Sequence, residues 1–178
     1  MTTDYPISVG IFEGFSWIRC KGKGSFLASP AMKSFGDERI AAGESCLVVD
    51  LSDCTGMDST FMGTLAGMAA RLSVVDGGTL QIAEPGERNR RSLEDLGLDF
   101  LLEIDPPKAA WRGQIEAVRS SLVPPELKKE EKQREVAARH VLEAHKNLSQ
   151  ANEKNAKKFS QVVGLLEAEV DKESKKNG

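Results

Sequence analysis

The run Cys46-Leu47-Val48-Val49-Asp50-Leu51 constrains this chain more than any other segment. It is apolar at consecutive positions rather than alternate ones, the pattern of a strand covered on both faces. A sheet holding such a strand needs a layer on each side, which points to a mixed α/β domain. A polar loop, Ser52-Asp53-Cys54-Thr55-Gly56, follows, and Asp58-Ser59-Thr60 opens a helix that runs to about Val75. In open α/β sheets, sites collect beyond the carboxyl ends of strands. The strand-to-helix junction at Asp58-Ser59 is therefore the first place to look for function.

Short apolar runs punctuated by glycine and proline continue to about residue 106. Ile7, Val9 and Ile11 alternate with Ser8 and Gly10, and Phe15 to Cys20 follows a turn at Glu13-Gly14. Together they predict a hairpin. Gly22 and Gly24 break its second strand, and Ser29-Pro30 opens a helix to about Ala42, with proline where a missing N–H costs little. In the helix after Ser59, the residues Phe61, Leu65, Met68, Ala69 and Leu72 recur at helical spacing. The small residues between them, Gly63, Ala66, Gly67 and Ala70, predict close packing of this helix on the sheet. Thr79–Ala83 reads as a strand, about Glu87 to Leu96 as a helix stopped by Gly97, and Phe100–Ile104 as a last short strand.

Beyond Pro106-Pro107 the character changes, which divides the chain into a domain over 1–106 and a helical extension over 107–178. From about Lys108 to Ser121 one helix is expected, with Trp111, Ile115, Val118 and Leu122 on one face. After Pro124-Pro125, the chain from Glu126 to about Lys172 reads as a single long helix. Ala137, Val141, Ala144, Leu148, Ala151, Asn155, Phe159, Val162, Leu166 and Val170 approximate a heptad seam, coiled-coil-like in spacing. The pattern fits two arrangements equally: self-association, as in a homodimer, or a stripe packed on the chain's own domain.

Several function classes are disfavoured. A net charge of −3 carries no basic excess for nucleic-acid backbones. No stretch approaches the roughly 20 apolar residues of a membrane span, and Met1-Thr2-Thr3-Asp4-Tyr5 lacks the features of a secretory signal, so a cytoplasmic location is expected. Cys20, Cys46 and Cys54 have no CxxC spacing and read as small buried residues. His140 and His145 are five apart, about 140° around a helix, which is wrong for a metal pair. Gly22-Lys23-Gly24 lacks the pattern of a nucleotide loop. Asp50, Asp53 and Asp58 do not complete a phospho-aspartate receiver site, and Arg88, Arg90 and Arg91 read as a solvated basic cluster. No catalytic, metal or cofactor site is expected, and the chain reads as a binding module rather than an enzyme.

On local chemistry alone, Asp58 is an N-cap and Ser59-Thr60 are first-turn residues. A wider pattern gives them more meaning. Val49-Asp50-Leu51-Ser52 followed by Met57-Asp58-Ser59-Thr60 resembles the central strand, loop and helix start of the STAS domain of anti-sigma factor antagonists. Gly22 and Pro30, Gly77-Gly78-Thr79-Leu80, and Leu96-Gly97-Leu98 before Phe100-Leu101 extend the resemblance in order over about residues 5 to 105. It implies a STAS fold: a small, mostly parallel mixed sheet with an N-terminal hairpin and flanking helices. It also implies that Ser59 is phosphorylated by an anti-sigma factor serine kinase and reset by a phosphatase, in a pathway regulating transcription. Asp58, Thr60, Phe61, Met62 and Ser25 would then form the partner-binding edge. Lys23-Gly24-Ser25 stands where the family has Glu-Leu-Asp, and Phe61 where it has glycine, placing a ring beside the acceptor serine. Two alternatives dispense with a phospho-switch: a STAS scaffold or oligomerising adaptor, and a soluble subunit of a transport system bound to an ATPase component.

Overall fold

The computed structural model describes residues 5–126 and 133–176. Strands β1 (Ile7–Phe12) and β2 (Phe15–Cys20) form the expected antiparallel hairpin, closed where Phe12 faces Phe15. After a short strand β3 (Gly22–Gly24) come α1 (Ser29–Ala41), β4 (Cys46–Asp50), β5 (Cys54–Met57) and α2 (Ser59–Ser73). Then follow β6 (Thr79–Ala83), α3 (Glu87–Asp95), β7 (Glu103–Ile104) and α4 (Ile115–Ser121). Two long helices, α5 (Gln133–Ala151) and α6 (Glu153–Lys176), complete the described chain. The main sheet has the order β1-β2-β4-β6-β7, parallel throughout except for the β1–β2 hairpin.

Strand β4 lies between β2 and β6 and is covered on both faces, as its unbroken apolar run requires. Leu47, Val49 and Leu51 enter the main core with Met32 of α1, Leu65, Met68 and Leu72 of α2, and Leu93 of α3. Val48 joins Phe15, Trp17, Ala83, Trp111 and Val118 on the opposite face. That second layer is supplied by α4 and the 3-10 turn Arg112–Gln114. Trp111 meets Trp17 edge-on at 5.3 Å and donates its indole N–H to Gln81 Oε1 at 2.7 Å. The chain then returns to the hairpin edge, where Val9 and Val123 exchange backbone hydrogen bonds of 2.8 and 3.0 Å.

The structure departs from the sequence-based expectation at five places. Gly22–Gly24 is not merely a break: it pairs in parallel with β5, a strand inside what reads as a polar loop. Phe100–Ile104 is not one strand. Leu98–Phe100 is a 3-10 turn, Phe100 is 91% exposed, and only Glu103–Ile104 pairs with β6. Helix α4 starts at Ile115, several residues after Lys108.

The largest departure is at the C-terminus. The single long helix is instead two antiparallel helices that turn at Asn152, with Lys146 of α5 paired to Glu167 of α6 at 3.3 Å. Asn152 Oδ1 accepts the Asn155 backbone N–H at 2.8 Å, capping α6. The side-chain amides of Asn152 and Asn155 both donate to the Leu96 carbonyl at 3.0 Å, satisfying an acceptor left over at the end of α3. Asn155, a polar gap in the heptad pattern, is thus a corner residue. Of the two arrangements the seam allowed, the structure has the stripe packed on its own domain, with Leu148 and Phe159 in the main core. The 127–132 part of the expected helix and residues 1–4 lie outside the described residues.

The small-residue face of α2 does not meet the sheet as expected. Gly63 and Gly67 receive α5: a Cβ on Gly63 would overlap the Ala144 carbonyl, and one on Gly67 would strike the Asn147 amide. The Asn147 amide donates to the Gly63 carbonyl at 3.3 Å. With the sheet on one side and α5 on the other, every residue of α2 from Thr60 to Ala69 is buried. Among the described residues, no helix is long and apolar enough to cross a membrane.

Candidate partner-binding site

Helix α2 begins where the sequence places it. Asp58 is its N-cap, in extended backbone, and each of its carboxylate oxygens has a different task. Oδ1 accepts the Phe61 N–H at 2.9 Å, satisfying one of the orphan donors of the first turn. Oδ2 accepts the Phe26 N–H at 2.8 Å, while the Asp58 N–H donates to the Gly24 carbonyl at 2.8 Å. One aspartate therefore fixes both the start of α2 and the loop after β3. Ser59, the first helical residue, is half-buried at this junction.

The Ser59 hydroxyl is already engaged. Its Oγ lies 2.9 Å from Nε2 of His145 on α5, whose Nδ1 lies 2.7 Å from the Val141 carbonyl. A carbonyl can only accept, so Nδ1 carries the proton, Nε2 is the acceptor, and Ser59 donates. The imidazole stands edge-on to Phe159 of α6, with ring centres 5.6 Å apart. One turn earlier, His140 Nε2 lies 2.7 Å from Ser29 Oγ of α1 and 3.4 Å from Thr64 Oγ1 of α2. Burial is the main influence holding the His140 pKa below its usual value, which favours the neutral, accepting ring. The two histidines that could not share a metal thus bind separate hydroxyls in the groove between α1 and α2. Their role was missed because it depends on where α5 docks, and helical spacing alone says nothing about that.

The residues of the expected partner-binding edge fall into two groups. Asp58, Ser59 and Ser25 come together, half-buried, around the loop after β3. Thr60, Phe61 and Met62 are interior, at 5%, 0% and 8% exposure. The Phe61 ring is not beside Ser59 at the surface but beneath β3, where a Cβ on Gly24 would come within 3.1 Å of it. A side chain at position 24 would crowd this ring, so the glycine at 24 and the ring at 61 fit each other. Next to Ser25, Phe26 and Leu27 are 51% and 77% exposed, an apolar pair that the sequence reading passed over. Its signal was present, since two large apolar residues in tandem in a glycine-rich loop have no core-facing period.

Asp50, the last residue of β4, is fully buried on the other face of the sheet. It accepts from Trp17 Nε1 at 3.2 Å, from the Ser52 N–H at 3.0 Å, and from Arg119 of α4 at 2.8 and 3.1 Å. Burial pushes its carboxyl upward, but the bonds from Arg119 and Ser52 outweigh it and hold the pKa below the usual carboxylate value. Arg119 also reaches Glu84 at 2.9 Å. This aspartate is a structural anchor. The cysteines are free thiols, with Cys20 buried. Among the described residues, no group of three or more His, Cys, Asp or Glu could hold a metal ion.

A hairpin leading a parallel sheet, with a capped helix starting at Asp58-Ser59 beyond the central strand, is the arrangement of the STAS fold. Residues 17–103 match the family model described as Mlab, STAS domain. Among solved structures, an anti-sigma factor antagonist from Mycobacterium paratuberculosis is 23% identical, with a TM-score of 0.51, covering 67% of this chain and 99% of that one. A candidate anti-sigma factor antagonist from Thermotoga maritima is 21% identical, with a TM-score of 0.52, covering 64% of this chain and 94% of that one. At these identities the likeness establishes the fold. No curated protein matches the chain in sequence. The α5–α6 hairpin lies outside the segment matched by the family model.

Proposed function

We propose that this chain is a phosphorylation-controlled protein-binding module of a partner-switching pathway, with Ser59 as the phosphoacceptor. The observation that carries the reading is the placement of Ser59 at the first position of α2, directly after Asp58 and beside the loop that Asp58 anchors. The unmodified form would bind an anti-sigma factor serine kinase, and a phosphatase would restore it after phosphorylation. The contact edge combines Asp58, Ser59 and Ser25 with the exposed Phe26 and Leu27. Thr60, Phe61 and Met62 support it from the interior. A phosphoserine carries about −1.5 to −2 charges. Beside Asp58 it would present concentrated negative charge to a surface shaped for a neutral hydroxyl. The loss of ~1.4 kcal/mol there weakens binding tenfold.

The test has two parts. Intact mass and site mapping of the chain from its native host should find phosphate on Ser59. Ser59→Asp should bind the co-purified partner at least tenfold more weakly than wild type, and equal affinity sinks the reading. The Ser59–His145 hydrogen bond favours a second reading, in which Ser59 only docks the hairpin and the domain is an adaptor without a switch. That reading predicts no phosphate under any growth condition.

A further inference from the structure

The groove between α1 and α2, including the Ser59 end of α2, is filled by α5. Two hydroxyl–imidazole bonds, Ser29–His140 and Ser59–His145, span it. An amide–carbonyl bond, Asn147 to Gly63, and the Lys33–Glu143 contact at 4.0 Å add to them. Gly63 lets the two backbones touch. We propose that the α5–α6 hairpin is an internal occupant of the STAS docking face, and that the closed hairpin and a phosphate on Ser59 exclude each other. The proposal rests on the phosphoacceptor reading and adds its regulation: an external protein reaches Ser59 only after displacing α5.

The geometry of the hydroxyl is the main argument. In phosphoryl transfer, Ser59 Oγ bonds to the γ-phosphorus of a nucleoside triphosphate held by the kinase. The bridging P–O bond breaks, the nucleoside diphosphate leaves, and the hydroxyl proton passes to a base on the kinase. In the closed chain that proton points at His145 Nε2, at hydrogen-bond distance. The phosphoryl group would replace this proton, in a space already held by an imidazole that is 6% exposed and backed by Phe159. With Nδ1 facing the Val141 carbonyl, Nε2 is the ring atom that the phosphoryl group would meet. Modification therefore removes the hydroxyl hydrogen bond to the hairpin and needs space that the packed ring occupies.

The contacts that close the hairpin also define what can replace it. Leu148 and Phe159 belong to the main core, so opening uncovers apolar surface in addition to the exposed Phe26 and Leu27. A displacing partner must bring apolar side chains to that surface and small residues opposite Gly63. A protein surface presenting a helix meets both demands.

Hydrogen exchange on the full chain tests the coupling. In wild type the amides of residues 140–148 should be protected, and in Ser59→Ala, which loses one neutral hydrogen bond, exchange should rise less than in Ser59→Glu. In Ser59→Glu and Gly63→Leu they should exchange at least about tenfold faster, a shift of ~1.4 kcal/mol, while β4 stays protected. His145→Ala serves as a second opener if Gly63→Leu does not fold. Unchanged α5 protection in Ser59→Glu overturns the proposal. So does phosphoprotein from the host with α5 still protected, although the phosphoacceptor reading would then survive. Faster exchange in Ser59→Glu with no phosphate in the host supports the coupling and rejects the phosphoacceptor reading instead.

Discussion

Two C-terminal elements cover the STAS core from opposite sides, and they are attached by different chemistry. Helix α4 is tied to the sheet by Trp111 against Trp17 and by Arg119, which forks onto the fully buried Asp50. Helix α5 is tied to α1 and α2 by neutral hydroxyl–imidazole bonds and by close contact at glycine. Breaking the first attachment leaves a charge in a dry environment, which is costly. Breaking the second leaves hydroxyls and imidazoles, which water can satisfy with little loss once the groove opens. The first is built to stay shut, and the second can open without stranding a charge.

The contrast is broken most severely at Asp50. Arg119→Leu removes the bidentate partner of a carboxylate with no exposed surface and should cost about 3–5 kcal/mol in urea unfolding. A loss below 1 kcal/mol would mean that Trp17, Ser52 and Arg19 suffice. The Asp50 pKa lies below the ordinary value, so this contribution is present above the unfolded pKa of about 3.9 and disappears as pH falls through the folded one. Next in size is Gly63→Leu, which forces α2 and α5 apart and should cost about 1–3 kcal/mol. The loss should fall on α5 protection, leaving the tryptophan fluorescence of the α4 face unchanged. Fluorescence that shifts in step with α5 exchange would show the two attachments to be one cooperative unit.

Legibility in the sequence follows the same division. The unbroken run at Cys46–Leu51 correctly implied a strand covered on both faces, and the Trp111-to-Leu122 stripe supplied the layer on one of them. The capped start of α2 was readable because capping is a local property of Asp58 and its neighbours. The hairpin was not. Heptad-like spacing says that a stripe exists, and nothing in it says whether another copy or the chain's own groove receives the stripe. The turn at Asn152 escaped because asparagine is tolerated within a charged helix, and its value as a corner comes from the Leu96 carbonyl, distant in sequence. Gly63 and Gly67 were seen as a close-packing signal but assigned to the sheet, because periodicity does not name the partner.

A smaller effect should appear nearer neutral pH, on the α5 side. His140 accepts from Ser29 as a neutral ring, and its pKa is lowered first by burial and then by Lys33. Glu143, Asp37 and Asp58 act in the opposite direction. Arg71 lines the same cleft, and His145 faces the neighbouring part of the groove. The unfolded chain binds a proton near pH 6.5, and the folded chain only at lower pH. Within that interval the unfolded state holds more protons, so stability falls as pH drops and is fully present above it. Protection factors at residues 140–148, referred to the intrinsic exchange rate at each pH, should fall between roughly pH 7.5 and 5.5, with the slope reduced in His140→Gln. An equal slope in that variant would move the effect to other groups.

The smallest expected effect is the most informative about the closed state. Ser59→Ala deletes one neutral hydrogen bond, worth about 0.5–1.5 kcal/mol. His145→Ala deletes the same bond together with the ring contact to Phe159. If the Ser59 hydroxyl contributes nothing to closure, the two losses add, since the cap of α2 is supplied by Asp58 through the Phe61 N–H. If the hydroxyl latches the hairpin, the double variant loses less than the sum, by roughly the value of the shared bond. The same cycle on Trp17 and Trp111, across the α4 attachment, gives a reference for two rings that remain in contact. A Ser59–His145 coupling near zero would leave the hairpin held by Gly63 and its apolar anchors alone.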